Sequence, residues 1–174
     1  MAVRILADHI AAGGAAGGYE PQRKNNFMVY LTPPGGDSDP IEMALMSFPL
    51  HKETTGVIKI PYVNSERKVA GKTEYAAKEL KVRDYVDQQT AQEVRAWRRK
   101  VWDPKTGKVG LAKDYKVDGR VVLYAPDGSA ERTWSLHGVW PSSFDMGSGD
   151  MSSADPVEIT CTLEVDWEDM VVKG

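Results

Sequence analysis

The clearest periodicity in the chain lies near its C-terminal end. In V-E-I-T-C-T-L-E-V-D-W, Val157, Ile159, Cys161, Leu163 and Val165 alternate with Glu158, Thr160, Thr162, Glu164 and Asp166. A period of two sends the first set to one face of a strand and the second to the other, so the pattern predicts a half-buried β-strand. F-M-V-Y-L at 27–31 reads as a short strand stopped by Pro33 and Pro34. M-A-L-M-S-F-P-L at 43–50 is mostly apolar and predicts a second, largely buried strand, with Pro49 marking its end or an edge. Residues 78–86 alternate, with Leu80, Val82 and Val86 on one side and Lys81, Arg83 and Tyr85 on the other.

Two further runs, 117–125 and 129–138, flank Pro126-Asp127-Gly128, and Asp-Gly between β-runs signals a hairpin. Trp134, Leu136, Gly138 and Trp140 are expected to share a face, with Pro141 ending the run and 142–155 forming a polar loop. One stretch has the helical period. Ala91, Val94, Trp97 and Val101 make an apolar stripe over roughly three turns. Thr90 and Glu93 have the spacing of a capping box, and Asp103-Pro104 and Gly107 stop the helix.

Residues 52–76 behave differently. V-I-K-I-P-Y-V at 57–63 leads through N-S-E-R-K to V-A-G-K-T-E-Y. This predicts a long hairpin with too little core of its own, and such an element is marginal in water unless it packs on something else. Together the patterns predict a mainly β fold of roughly six or seven strands. The expected architecture is a β-barrel or sandwich of two packed antiparallel sheets, with one flanking α-helix and a long projecting hairpin.

The length of 174 residues suits one domain, placed at 25–174 behind a flexible Gly/Ala-rich arm at 1–24. The A-A-G-G-A-A-G-G of that arm lacks the G-K-[ST] ending of a phosphate loop, and the apolar patch from Ile5 is interrupted at Asp8 and His9, too early for a signal peptide. No apolar run approaches the roughly 18 residues of a membrane-spanning helix. A single cysteine makes neither an internal disulfide nor a cysteine zinc site.

Charge is uneven along the chain, whose net value is -3. Residues 1–51 carry three basic and five acidic groups (-2), 52–120 carry 17 and 10 (+7), and 121–174 carry two and ten (-8). Two readings follow with equal weight: copies attract one another head to tail, or the blocks neutralise each other within one monomer.

No catalytic, cofactor or metal constellation is found. His9, His51 and His137 lack ligand spacing, and Cys161 belongs to an apolar strand face, where cysteine acts as a small hydrophobe. Glu164, Asp166, Glu168 and Asp169 read as a solvated acidic strand end, not a cation site. The basic run Arg95 to Lys100 raises nucleic-acid binding as an alternative. Trp97 lies on the apolar stripe, however, and cations are favoured at a helix C-terminus in any case.

The order of features now matters more than any one of them. An N-N-F-x-V strand, a buried strand, a long hairpin, an alternating strand, a helix and a D-G hairpin follow in turn. Then come R-x-W-x-L-x-G-x-W-P (Arg132, Trp134, Leu136, Gly138, Trp140, Pro141) and the V-E-I-T-x-T-L-E-V-D strand. Over about residues 25–170 the chain resembles the tail tube proteins of contractile-tailed bacteriophages, whose relatives include the tubes of type VI secretion and contractile injection systems.

The resemblance implies a structural virion protein with no enzymatic activity and no cofactor. It implies hexameric rings, sheets joined edge to edge around a lumen, and rings stacked into the rigid inner tube of a contractile tail that conducts DNA during genome ejection. The implied partners are other copies, the tail sheath, the tape measure protein and a baseplate or tube initiator, with double-stranded DNA passing through the lumen without specific binding. Synthesis would occur in the cytoplasm of the host bacterium. Val57, Ile58, Ile60, Tyr62 and Val63 are the expected inter-subunit hairpin contacts, and Glu158, Thr160, Thr162 and Glu164 the expected lumen-facing residues. The N-terminal arm and the tail after Trp167 are expected to order on assembly. A secretion or injection tube is the alternative, and a monomeric nucleic-acid-binding β-barrel the more distant one.

Overall fold

A computed structural model describes residues 22–86 and 89–171. Most of the 1–24 arm therefore lies outside the described residues. The elements are β1 (Phe27–Leu31), α1 (Asp39–Ala44), β2 (Leu45–Ser47), β3 (Glu53–Tyr62), β4 (Ser65–Tyr75), β5 (Lys78–Arg83), α2 (Thr90–Val101), α3 (Ala112–Tyr115), β6 (Val117–Tyr124), β7 (Ala130–Asp145), β8 (Glu158–Glu164) and β9 (Trp167–Val171). Every strand pairing is antiparallel.

The body follows from one strand. β7 runs for 16 residues and belongs to two sheets. Its first half pairs with β6 and β9, which with β1 make one sheet, and its second half pairs with β8, which continues to β5 and β2. The change of sheet occurs at Gly138, whose φ of +66° is a conformation that side chains with a Cβ rarely adopt. Between the pairs Val117–Val139 and Gly119–Leu136, β7 holds one residue more than β6, a β-bulge that bends the strand. β8 and β9 turn the same corner. There Asp166 N–H donates to His137 O at 3.0 Å, and the Asp166 carboxylate receives Lys116 Nζ at 2.6 and 2.7 Å. Gly138 N–H donates to Asp118 Oδ1 at 3.1 Å, and the His137 ring stacks on Trp167 with centroids 3.8 Å apart.

The bulge shifts the inward phase of β7. Trp134 and Leu136 are buried before it, and Val139 and Pro141 after it. Trp140 is therefore half-buried on the outward side, not on the Trp134 face. Pro141 does not end the strand, because it falls at a second register shift, where its missing N–H disturbs the ladder least.

Between the sheets lies one core. Val29, Leu31, Leu80, Val82, Val121, Leu136, Ile159, Cys161 and Leu163 fill it from the strands, and Val94 and Trp97 from α2. The α2 stripe is buried as its spacing requires, and Trp97 Nε1–H donates to Tyr115 O at 2.7 Å, satisfying the one polar group that the indole buries.

The structure revises several expectations near element ends. Residues 43–50 do not form one strand: Asp39–Ala44 is helical and only Leu45–Ser47 is extended. Pro40 in the first turn and the acidic Asp39 and Glu42 favour that short helix, which buries Ile41 and Ala44. The capping box does not form either. Thr90 lies inside the helix, and its hydroxyl donates to Pro40 O at 3.1 Å, tying α2 to α1. Val86 and Val157 are exposed, because β5 ends at Arg83 and β8 begins at Glu158. As far as Val171 the tail forms β9, which pairs along Thr133–His137 of β7.

Gly138→Ala tests the corner. Positive φ costs a residue with a Cβ about 1–2 kcal/mol. The added Cβ would also collide with the Asp166 carboxylate and push it off Lys116. The expected result is a loss of 2 kcal/mol or more, about the left-handed cost plus a lost partner, measured by urea denaturation. Gly128→Ala in the β6–β7 turn, which has open space around it, should lose less.

Candidate functional site

Two surfaces and one buried anchor stand out. The hairpin β3–β4 forms its own two-stranded sheet, and every residue of β3 is exposed. Its register assigns the faces. Ile58 pairs with Val69, Ile60 with Arg67 and Tyr62 with Ser65, so these share one side. The other side carries Val57, Lys59, Pro61, Glu66, Lys68 and Ala70, with Lys59 and Glu66 3.7 Å apart.

The first side is an apolar stripe of Ile58, Ile60, Tyr62 and Val69, each between 46% and 56% exposed. The Arg67 guanidinium lies over the Tyr62 ring at 4.6 Å and extends the stripe. Val63 stands at the tip, 90% exposed with φ +53°, a left-handed conformation that is strained for a β-branched residue. Of the five hairpin candidates, then, Ile58, Ile60 and Tyr62 lie on one face, Val57 faces the opposite way, and Val63 caps the turn. Val69 was missed. Its signal, V-A in the returning run, gains meaning only once the register places it opposite Ile58.

The root of the hairpin is fixed by a buried polar cluster. Lys78 Nζ lies 2.8 Å from Glu168 Oε1, with the two side chains 2% and 0% exposed, and donates to Leu50 O at 3.0 Å. His51 Nδ1 lies 2.7 Å from Glu168 Oε2, and at 3.3 Å Ala76 N–H donates to Lys52 O across the base. Glu168 is therefore no part of a solvated acidic end. Its place opposite Leu136 in the β7–β9 register turns it inward. No sequence motif announces this cluster, because His51 and Glu168 are 117 positions apart.

The second surface is the outward face of the β7–β8–β5–β2 sheet. Glu158, Thr160, Thr162 and Glu164 all lie on it, exposed or half-buried. β5 sets Arg83 opposite Glu158, Lys81 opposite Thr160 and Glu79 opposite Thr162. β7 adds Asp145 opposite Thr160 and Ser143, whose Oγ lies 2.8 Å from Thr162 Oγ1. Four carboxylates (Glu79, Asp145, Glu158, Glu164) thus meet two cations (Lys81, Arg83), a balance of -2. A hydrogen bond and charge attraction from Glu79, 3.0 Å away, raise the pKa of Lys81 and keep it charged.

Cys161 faces the core, and burial pushes its thiol up to about 12, so it is neutral and a poor nucleophile at physiological pH. Among the described residues, no three His, Cys, Asp or Glu side chains converge as metal ligands. No described helix is long and apolar enough to cross a membrane.

No protein-family model matches the sequence, and no curated protein matches it. Solved structures do match the fold over nearly the whole chain. A chain of the PVC sheath–tube complex, an extracellular contractile injection system in its extended state, aligns with a TM-score of 0.69 at 18% identity, covering 90% of this chain and 95% of its own. The tube-terminating cap of the anti-feeding prophage aligns with a TM-score of 0.69 at 15% identity, covering 88% and 93%. A type six secretion system protein aligns with a TM-score of 0.51 at 10% identity, covering 83% and 81%. At such identities the likeness is one of fold. The fold expected from the sequence, mainly β with two antiparallel sheets and a long hairpin, is the one observed.

Lys78→Met and Glu168→Leu should each cost about 3–5 kcal/mol, because each strands a buried group without its partner. Lys78→Met combined with Glu168→Leu should cost much less than the sum. Urea denaturation of the four proteins measures the cycle, and proteolysis within 52–76 reports whether the root has loosened.

Proposed function

We propose that this chain is a structural tube subunit of a contractile tail or injection particle. Copies close into hexameric rings, and rings stack into a tube. The observation that carries this reading is the hairpin: an apolar stripe of Ile58, Ile60, Tyr62 and Val69 held out in solvent, on a body whose fold matches chains of contractile particles along nearly its full length. A stripe that finds no core in its own chain is a site for another surface. Val57 and Val63 contribute from the far face and the tip. Ring closure pairs the free edges of the terminal strands β1 and β2, which otherwise invite uncontrolled association. The sheath, tape measure protein and baseplate or tube initiator are the further partners in this reading.

The Glu158–Thr160–Thr162–Glu164 face lines the lumen. Its surplus of carboxylates over cations repels a polyanion, so double-stranded DNA in a phage tail slides without binding. A second reading, a tube that delivers protein cargo from an extracellular injection particle, is favoured by the particles to which the matching structures belong. In either particle the chain acts by assembly and catalyses nothing.

Two experiments test this. Purified protein examined by negative stain and sedimentation should form rings or tubes, alone or on an initiator. Ile58→Asp with Ile60→Asp should abolish them while leaving the far-UV dichroism of the folded monomer unchanged. A monomer that binds labelled oligonucleotide and never assembles would overturn the reading. Glu158→Lys with Glu164→Lys turns the face from four carboxylates and two cations to two and four, a balance of +2. Tubes should still form, and a DNA-carrying particle should eject its genome several-fold more slowly, read by dye release. Unchanged ejection would remove the face from the lumen or DNA from the cargo.

A further inference from the structure

The outer side of α2 carries a feature that tube assembly does not absorb. Arg95, Arg98 and Arg99 stand at i, i+3 and i+4, and so project as one cluster beside the buried Val94–Trp97–Val101 stripe. They border a groove of about 610 Å³ whose other walls are Trp102, at the end of the helix, and Phe144 and Met146, where β7 runs out. The groove is thus cationic along one side and apolar along the other. Trp102 and Met146 are 42% and 46% exposed.

The surface cations of this chain divide into paired and unpaired ones. Lys59, Lys81 and Lys116 each pair with a carboxylate. Among the described residues no ion pair or hydrogen bond holds Arg95, Arg98 or Arg99. Asp103, four residues beyond Arg99, accepts from Lys105 N–H and Thr106 Oγ1–H of its own turn. Arg98 is half-buried, and its Nη1 is shut off from solvent with no acceptor. A guanidinium nitrogen buried without a partner is unfavourable, and the helix dipole, which accounts for cations in the last turn, does nothing to satisfy it. The neighbouring serines offer little competition, since Ser142 Oγ–H already donates to Thr162 O and Ser143 is bonded to Thr162.

We infer that this groove is a docking site for an acidic, amphipathic segment of a partner protein. A carboxylate engages the Arg98 fork, and an adjacent aromatic or aliphatic side chain enters between Trp102, Phe144 and Met146. The planar fork of arginine matches a carboxylate in two parallel hydrogen bonds, which lysine does not. Arginine and tryptophan are also the side chains that most often anchor protein interfaces. A nucleic acid fits less well. It needs a continuous cationic track, whereas here Asp103 follows Trp102 and Asp145 separates Phe144 from Met146. The apolar stripe of a second copy's hairpin fits poorly too, because Arg67 on that face would meet three arginines.

Fluorescence anisotropy on the full chain tests the site. The probe is a short labelled peptide in which glutamates flank a Phe-Leu pair. It should bind, and weaken roughly tenfold with Arg98→Ala, with Arg95→Ala, and when its glutamates become glutamines. Arg98→Lys should restore only part of the loss, Lys113→Ala on α3 should change nothing, and salt near about 0.5 M should reduce binding. Arg95 is exposed, so its variant keeps the test valid if Arg98→Ala folds poorly. Three results would overturn the assignment. The glutamine peptide binds equally well; a thymidine oligonucleotide binds more tightly with the same arginine dependence; or sedimentation shows Arg98→Ala dissociating an oligomer, which would give the groove to a second copy.

Discussion

The corner at Gly138 is the constraint on which the rest of the molecule depends. A strand of 16 residues can serve two packed sheets only if its side-chain phase and its direction change together. The bulge supplies the first change and the positive φ of Gly138 the second. β8 and β9 must turn at the same level, and Asp166 holds them there through His137 O and Lys116. Because both sheets hang from β7, the core from Val29 to Leu163 closes as a single volume. The helix α2 then covers one side of it with Val94 and Trp97.

From that corner the position of the hairpin follows. The turn into β9 brings Glu168 inward beneath His51 and beside Lys78. A buried ion pair adds little net stability, but it is unforgiving of misplacement, since either charge alone inside the protein is strongly unfavourable. The cluster therefore acts as a locator. It fixes where the chain leaves the body at His51 and re-enters at Lys78, so that a hairpin with no core of its own still emerges at a defined place. A projecting hairpin needs such a root, because it is positioned from one end only. The polar sheet face and the arginine groove meet at Ser143 of β7, which belongs to both.

The periods of two and 3.6 were readable wherever one face of an element is buried against the core. β8, β5, the start of β7 and the α2 stripe all followed from alternation or helical spacing, as did the D-G turn, whose Asp127 accepts from Ser129 N–H at 2.9 Å. Misreadings clustered where two local preferences compete or where the decisive partner is distant. At 39–44 an apolar run of strand-like composition yields to Pro40 and first-turn acids. At Thr90 a capping signal loses to a hydrogen bond across to Pro40. At Trp140 and Pro141 the alternation is correct on both sides of a bulge whose extra residue leaves no mark in the pattern.

The sequence by itself determined a mainly β body, one amphipathic helix, and a long apolar-faced hairpin with nothing of its own to rest on. These depend on the order of side chains along a few neighbouring residues, which hydrophobic burial reads directly. Only the tertiary structure decided that Ile58, Ile60, Tyr62 and Val69 form one stripe, since cross-strand register is a property of two segments at once. Only it joined His51, Lys78 and Glu168 into one buried cluster, and turned three arginines of a helix end toward Trp102, Phe144 and Met146. Charge and hydrogen bonding act through space over a few ångströms. The partners that set their strength are brought together by the corner in β7, not by the chain between them.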